Sequence, residues 1–269
     1  MKLFSLFRKF CRRPAPLPAK KADWKITGVS VPGAAHVRRG RGCEDAVDWF
    51  VSDDLLGIAV ADGAGSASQS ARGSALAVRT AIEALRQQHQ PTNPIVFDNA
   101  IQVLKHACRG TQTALVAEAK EMGIAPRELA TTLIIVVANR NYCAALQVGD
   151  GAVVIKDREN NLTALTTPIN GRFANETAML GYPSIVEMQI SILNKPHPHS
   201  IAVFTDGLQR LALEMPLGVP HAPFFLPLFE KLQRLTAPAM ECTLKEFLNS
   251  SRVNGRTDDD KTVVTAQIL

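Results

Sequence analysis

Two stretches of helical periodicity follow one another in the first half of the chain, with strand-like segments on both sides, and this order restricts what the chain can fold into. Over residues 66–89, the apolar positions Ala71, Ala75, Val78, Ile82 and Leu85 recur at helical spacing. A second helix is expected after Pro94, with Phe97, Ile101, Leu104, Cys108, Leu115, Ala119 and Met122 on its inner face. Ahead of this pair, residues 24–31 alternate as a half-buried strand, and 46–51 and 55–61 read as a hairpin turning at Ser52-Asp53-Asp54. Behind it, residues 131–138 are a nearly continuous β-branched run that Asn139-Arg140-Asn141 turns back into 142–148. Residues 152–156 and 162–166 form another hairpin, and 185–192 and 200–205 two further strands. A helical pattern then runs through Leu213. A Pro-rich loop, 216–227, separates it from helices expected near 229–235 and 240–251, and an alternating strand, 262–269, closes the chain. This is not a βαβ repeat. It predicts an α+β fold with mostly antiparallel sheets.

Charge divides the chain in two. Residues 1–22 carry Lys2, Arg8, Lys9, Arg12, Arg13, Lys20 and Lys21 and no acid, against a whole-chain net charge of +5, so the remainder is slightly acidic. The expected organisation is a basic, Pro-containing leader and linker over 1–22 and one domain over 23–269. Leu3, Phe4, Leu6, Phe7 and Phe10 would suit a short amphipathic helix on an anionic surface, but a flexible leader is favoured over peripheral membrane contact through residues 1–13. Nucleic-acid binding is not expected, because the basic charge is confined to the leader and lacks interleaved aromatics. The five cysteines are scattered, without CxxC spacing, which points to reduced thiols and a cytoplasmic protein rather than a disulfide framework or zinc site.

Carboxylates gather where apolar strands end. Glu44 and Asp45 precede one expected strand, Asp62 follows another, Asp150 and Asp206 follow two more, and Asp259 precedes the last; Gly63, Gly151 and Gly207 directly follow three of these acids. If sheet pairing brings these ends to one rim, the like charges repel unless cations neutralise them. Oxygen donors without nearby His or Cys favour Mg²⁺ or Mn²⁺ over Zn²⁺. The structural alternative is that individual acids merely cap turns.

The ordered set GCEDA at 42–46, ADGAG at 61–65, ATT at 130–132, VGDG at 148–151, TDG at 205–207 and DDKT at 259–262 resembles the metal-dependent protein phosphatases of type 2C, in their compact bacterial branch. The resemblance implies two central, mostly antiparallel sheets packed as a sandwich and flanked by helix pairs, an α-β-β-α arrangement. It implies a rim holding two Mn²⁺ or Mg²⁺ ions, with Asp62 bridging both, Glu44 and the Gly63 carbonyl on one ion, and Asp206 and Asp259 on the other. Asp45 is implied to orient metal-bound water, so that Asp62, Asp45 and Asp206 form the catalytic set. Asp150 matches the acid that helps hold a weaker third ion. The implied reaction is hydrolysis of phosphoserine or phosphothreonine by in-line attack of a metal-bridging water, on a phosphoprotein made by a partner Ser/Thr kinase, in a monomer.

Two departures bear on that expectation. The phosphate-gripping Arg falls to Arg39 or Arg41, with Arg38 and Gly40 adjoining them, and the family's general-acid His is replaced by Ala64. His36 is a substitute acid or a structural histidine. Residues 171–180, GRFANETAML, occupy the place of the family's variable flap. A competing reading is a catalytically weak or inactive regulatory domain that binds a phosphoprotein or a kinase.

Overall fold

The computed structural model describes residues 23–168, 178–182, 188–193 and 198–269. The chain opens with β1 (Trp24–Val31), a one-turn helix α1 (Ala34–Arg38), β2 (Asp45–Ser52) and β3 (Leu55–Asp62). The helix pair α2 (Ser70–Gln88) and α3 (Phe97–Met122) follows, and then β4 (Leu133–Ala138), β5 (Cys143–Val148), β6 (Ala152–Lys156), β7 (Leu162–Thr166), β8 (Gln189–Leu193) and β9 (Ser200–Phe204). Beyond α4 (Gln209–Ala212) a small hairpin, β10 (Leu213–Glu214) and β11 (Val219–Pro220), leads into α5 (Ala222–Arg234), α6 (Ala237–Leu248), α7 (Ser251–Asn254) and β12 (Lys261–Ile268).

Two five-stranded sheets form, ordered β1-β12-β9-β6-β7 and β2-β3-β4-β5-β8, and every neighbouring pair is antiparallel. Strand periodicity explains the layering. In β3 and β4, Leu56, Ile58, Val60, Ile134 and Val136 point to the other sheet, where Val153, Ile155, Val203 and Val264 meet them. The alternate positions Leu55, Ala59, Ala61, Leu133, Ile135 and Val137 pack under α2 and α3. The second sheet is covered in the same way by Phe225, Phe229 and Leu232 of α5 and Met240, Leu244 and Leu248 of α6. Four layers result, helices outside and two sheets within, as the resemblance implies.

Two local expectations are corrected. The first helix starts at Ser70 rather than 66, because the Glu128 side chain and carbonyl accept the Ser68 and Gln69 N–H groups and hold 66–69 as a turn. α5 runs through Pro227 instead of beginning after it. The proline removes one hydrogen bond on an exposed side of the helix, while Phe225, Leu228, Phe229 and Leu232 bury the opposite face and outweigh a cost of about 3 kcal/mol. The strand expected over 185–192 is β8, Gln189–Leu193; 183–187, like 171–177 of the flap segment, lie outside the described residues.

Candidate metal centre

Register carries the acids to one rim. Asp45 stands directly opposite Asp62 where β2 and β3 pair. In the other sheet Phe204 of β9 faces Val263 of β12 on one side and Ala152 of β6 on the other, so that Asp206, Asp259 and Asp150 emerge at the same end. The sheets are tied together there: Thr205 Oγ1 donates to Asp45 Oδ2 at 2.8 Å and accepts from the Thr262 N–H at 3.1 Å. Thr131 and Thr132 anchor the end of β3. Thr132 Oγ1 accepts the Asp62 N–H at 2.9 Å, while the Asp62 carbonyl accepts from Thr131 Oγ1 and the Thr132 N–H, each at 2.8 Å. The ATT motif thus positions Asp62.

The turn glycines admit backbone where no side chain fits. A Cβ on Gly207 would strike the Asp260 carbonyl, and one on Gly63 would lie 2.7 Å from the Ser70 carbonyl and 2.9 Å from that of Glu44. The two turns must therefore remain bare for the strand ends to close on one another.

Asp45, Asp62, Asp206 and Asp259 form one electrostatic unit. Burial, followed for Asp62 by the charges of Asp45, Asp206 and Asp259, pushes its carboxyl well above the ordinary carboxylate range. Burial likewise raises Asp45 to about 7, against the hydrogen bonds from threonine, and raises Asp206 to about 7 with added repulsion from Asp150 and Asp259. Asp259 is raised in the same direction, chiefly by burial. Oδ1 of Asp45 is buried without a hydrogen-bond partner. Desolvated carboxylates pressed together and an orphaned carboxylate oxygen fit a hard divalent cation, which neutralises the repulsion and takes oxygen ligands. Among the described residues no group of three or more His, Cys, Asp or Glu side chains is placed to hold a metal ion by itself; backbone carbonyl and water oxygens would have to supply the rest of the six or more that such ions take.

Linkage gives a metal-removal prediction. In the metal-free fold, Asp45 and Asp206 keep their protons up to about 7, whereas the unfolded chain releases them near 3.8. The folded state therefore binds more protons across that window, and metal-free stability falls as pH rises through it. Thermal melts in EDTA are expected at a higher temperature at pH 5 than at pH 8, and Mn²⁺ is expected to stabilise most at pH 8. A flat or rising EDTA profile would contradict the coupling.

Glu44 belongs to an adjoining group. Its Oε2 accepts from Ser70 Oγ at 2.7 Å, its Oε1 pairs with the Arg41 guanidinium, and its carbonyl accepts from Ser74 Oγ at 2.5 Å. Arg39 caps α1, exposed and with no acid in salt-bridge reach among the described residues, and Arg38 pairs with Asp258. His36 is buried, its Nδ1 2.9 Å from Asp260 Oδ1 in an ion-pair contact without hydrogen-bond geometry. The histidine is thus packed as a structural partner of an acid.

Asp260 is the residue that motif reading passed over. It is 2% exposed, and its two oxygens accept the Gly33 N–H and the Glu44 N–H, each at 2.6 Å. Within a run of three aspartates nothing in composition separates it from its neighbours. The signal was its place immediately before a wholly buried strand, where an acid needs several donors.

Comparison with known proteins settles the family. The protein phosphatase 2C family profile matches residues 32–249. The chain belongs to the protein phosphatase 2C family. It is 34% identical over 256 residues to serine/threonine-protein phosphatase 3 of Escherichia coli (strain K12), covering 91% of this chain and 98% of the relative. The fold is shared with the serine/threonine phosphatase Stp1 from Staphylococcus aureus, at TM-score 0.65 and 15% identity over 93% of this chain and 96% of that one. PppA of Pseudomonas aeruginosa, a regulatory component of T6SS, aligns at TM-score 0.61 and 18% identity over 93% and 99%. As a protein phosphatase 2C, the chain is a divalent-metal-dependent serine/threonine protein phosphatase, and the reading as an inactive adaptor gives way to that of an enzyme.

Proposed function

We propose that this phosphatase hydrolyses phosphoserine and phosphothreonine at a centre of two Mn²⁺ or Mg²⁺ ions, with a weaker third ion beside Asp150. The observation that carries the reading is the meeting of Asp45, Asp62, Asp206 and Asp259 at one rim from strands of both sheets. Asp62 would be shared between the two ions, with Glu44 and the Gly63 carbonyl serving one and Asp206 and Asp259 the other. When bound, the ions acidify water and neutralise charge on the phosphoryl oxygens, so that no protein nucleophile is needed. Asp45, fixed by Thr205, would orient the attacking water. Arg39 or Arg41 receives the phosphate, since one guanidinium can grip two of its oxygens. Arg41 is already committed to Glu44, whereas Arg39 has no acid in salt-bridge reach among the described residues.

Leaving-group protonation falls to water, because Ala64 offers no proton and His36 is held against Asp260. We further assign the domain to 23–269, acting as a monomer in the cytoplasm against a Ser/Thr kinase. Four unpaired cysteines among the described residues support a reducing compartment, and no described helix is long and apolar enough to cross a membrane. The test is phosphate release from a phosphopeptide and from p-nitrophenyl phosphate with Mn²⁺. Turnover abolished by EDTA and restored by Mn²⁺ is expected; turnover that persists in EDTA would sink the mechanism.

A further inference from the structure

A groove among the described residues lies beside the acid rim rather than on it. It encloses about 570 Å³ between α5, α6 and α7, and a smaller cavity of about 250 Å³ adjoins it at the acids. Arg210, Leu211 and Arg256 line both, and the smaller cavity also has Asp206 and Asp259 in its wall. The groove is therefore continuous with the candidate metal centre. Chain connectivity makes the same link, since Arg210 follows Asp206 by four residues and Arg256 precedes Asp259 by three.

Its lining combines two chemistries. The floor is apolar: Phe224 and Phe247 pack with ring centroids 5.9 Å apart, over the buried Leu228 and Met240, and Phe247 is 37% exposed. The walls are basic. Arg210, Lys231, Arg252 and Arg256 are exposed, and none has an acid in salt-bridge reach or a side-chain hydrogen bond among the described residues. The lining acid, Glu214, already faces His221 at 3.3 Å. Four unpaired cations around exposed aromatic surface leave an excess of positive potential that an acidic and apolar segment would complement.

We propose that this groove is a docking site for the substrate polypeptide, and that it selects phosphoproteins with acidic and large apolar residues near the phosphorylated serine or threonine. The proposal rests on the phosphatase reading for what the docked chain carries, but not for the docking itself. Its continuity with the acid rim identifies the occupant as the same chain whose phosphate is removed. Residues 1–22 of this protein are a poor occupant, because seven positive charges and no acid would face a basic wall. The arrangement also separates tasks: phosphate is bound where anionic protein groups need metal, and the flanking acids are bound where cations stand free.

The test uses the Mn²⁺-loaded full chain and two sets of peptides. Phosphoserine peptides flanked by Glu with Leu or Phe are compared with matched peptides flanked by Lys with Ala. The acidic-apolar peptide is expected to have a kcat/KM about tenfold higher, from several exposed charge pairs and one aromatic contact. Arg252→Glu and Phe247→Ala should each shrink that ratio several-fold, and a ratio taken on one preparation cancels folding and metal content. Independently, a fluorescent, unphosphorylated acidic-apolar peptide should bind by anisotropy, more weakly to Arg252→Glu. No turnover of any peptide, with this binding intact, would overturn the phosphatase reading while sustaining the groove. Equal ratios for wild type and Arg252→Glu together with absent peptide binding would overturn the groove. Binding of phosphatidylglycerol vesicles, lost in Arg252→Glu without any discrimination among peptides, would overturn it in favour of a lipid headgroup.

Discussion

Asp62→Asn is expected to lower Mn²⁺-dependent turnover by about 10³-fold and, at the same time, to raise the melting temperature of the metal-free protein. Two effects of opposite sign follow from one carboxylate. In the absence of ions, Asp62 is held next to Asp45, Asp206 and Asp259 in a desolvated rim, and all four carboxyls are pushed up from their ordinary values. An amide in its place is neutral without taking up a proton on folding, so the cost of discharging a buried carboxyl disappears, and its N–H can serve the Asp45 carboxyl opposite. Each kcal/mol recovered moves the midpoint by roughly 2–4 °C in a domain of this size. With Mn²⁺ present the order reverses, because the wild type gains an ion that the variant holds poorly. The check is a melt of both proteins in EDTA and in Mn²⁺, with phosphate release measured on the same samples. Activity within tenfold of wild type, or a lower EDTA midpoint in the variant, would remove Asp62 from the centre.

Much of this arrangement was legible because the residues involved obey local rules. β3 is a short apolar run and β4 a short β-branched one, each followed or preceded by a turn that folds it onto its hairpin partner, and Asp62 at the end of β3 lies at a rim by geometry. The helix faces of α2 and α3 were legible for the same reason, since one apolar stripe must meet one sheet face. What local pattern does not encode is a partnership across a long loop. Asp260 differs from Asp258 and Asp259 only in meeting Gly33 and Glu44, more than 200 residues away. Arg41 and Arg39 look alike in sequence, yet only Arg41 reaches Glu44. Pro227 reads as a helix stop until the buried aromatic face around it is counted. The groove of α5 to α7 was hidden too, because its walls come from four segments, none of which carries a motif.

Asp260→Ala is expected to destabilise the domain by about 3–5 kcal/mol and to raise the Mn²⁺ concentration needed for half-maximal turnover. The substitution leaves two buried N–H groups, on Gly33 and Glu44, without acceptors, and deprives His36 of the acid against which it packs. An opposing effect exists, since the Asp260 charge also repels Asp45 and Asp259. That repulsion ranks below burial as a cause for both acids, whereas two hydrogen bonds to a charged group at 2.6 Å are each worth about 1.5–3 kcal/mol. Loss of the anchor therefore outweighs relief of the charge. The functional consequence follows from where the anchor sits: the Glu44 N–H is one residue from Asp45, and once it is released the start of β2 no longer holds Asp45 opposite Asp62. Urea unfolding and a Mn²⁺ titration of turnover separate the two consequences. A variant with unchanged stability would show that His36 and the β1–α1 turn are held by other contacts, and an unchanged Mn²⁺ requirement in a destabilised variant would confine Asp260 to the fold.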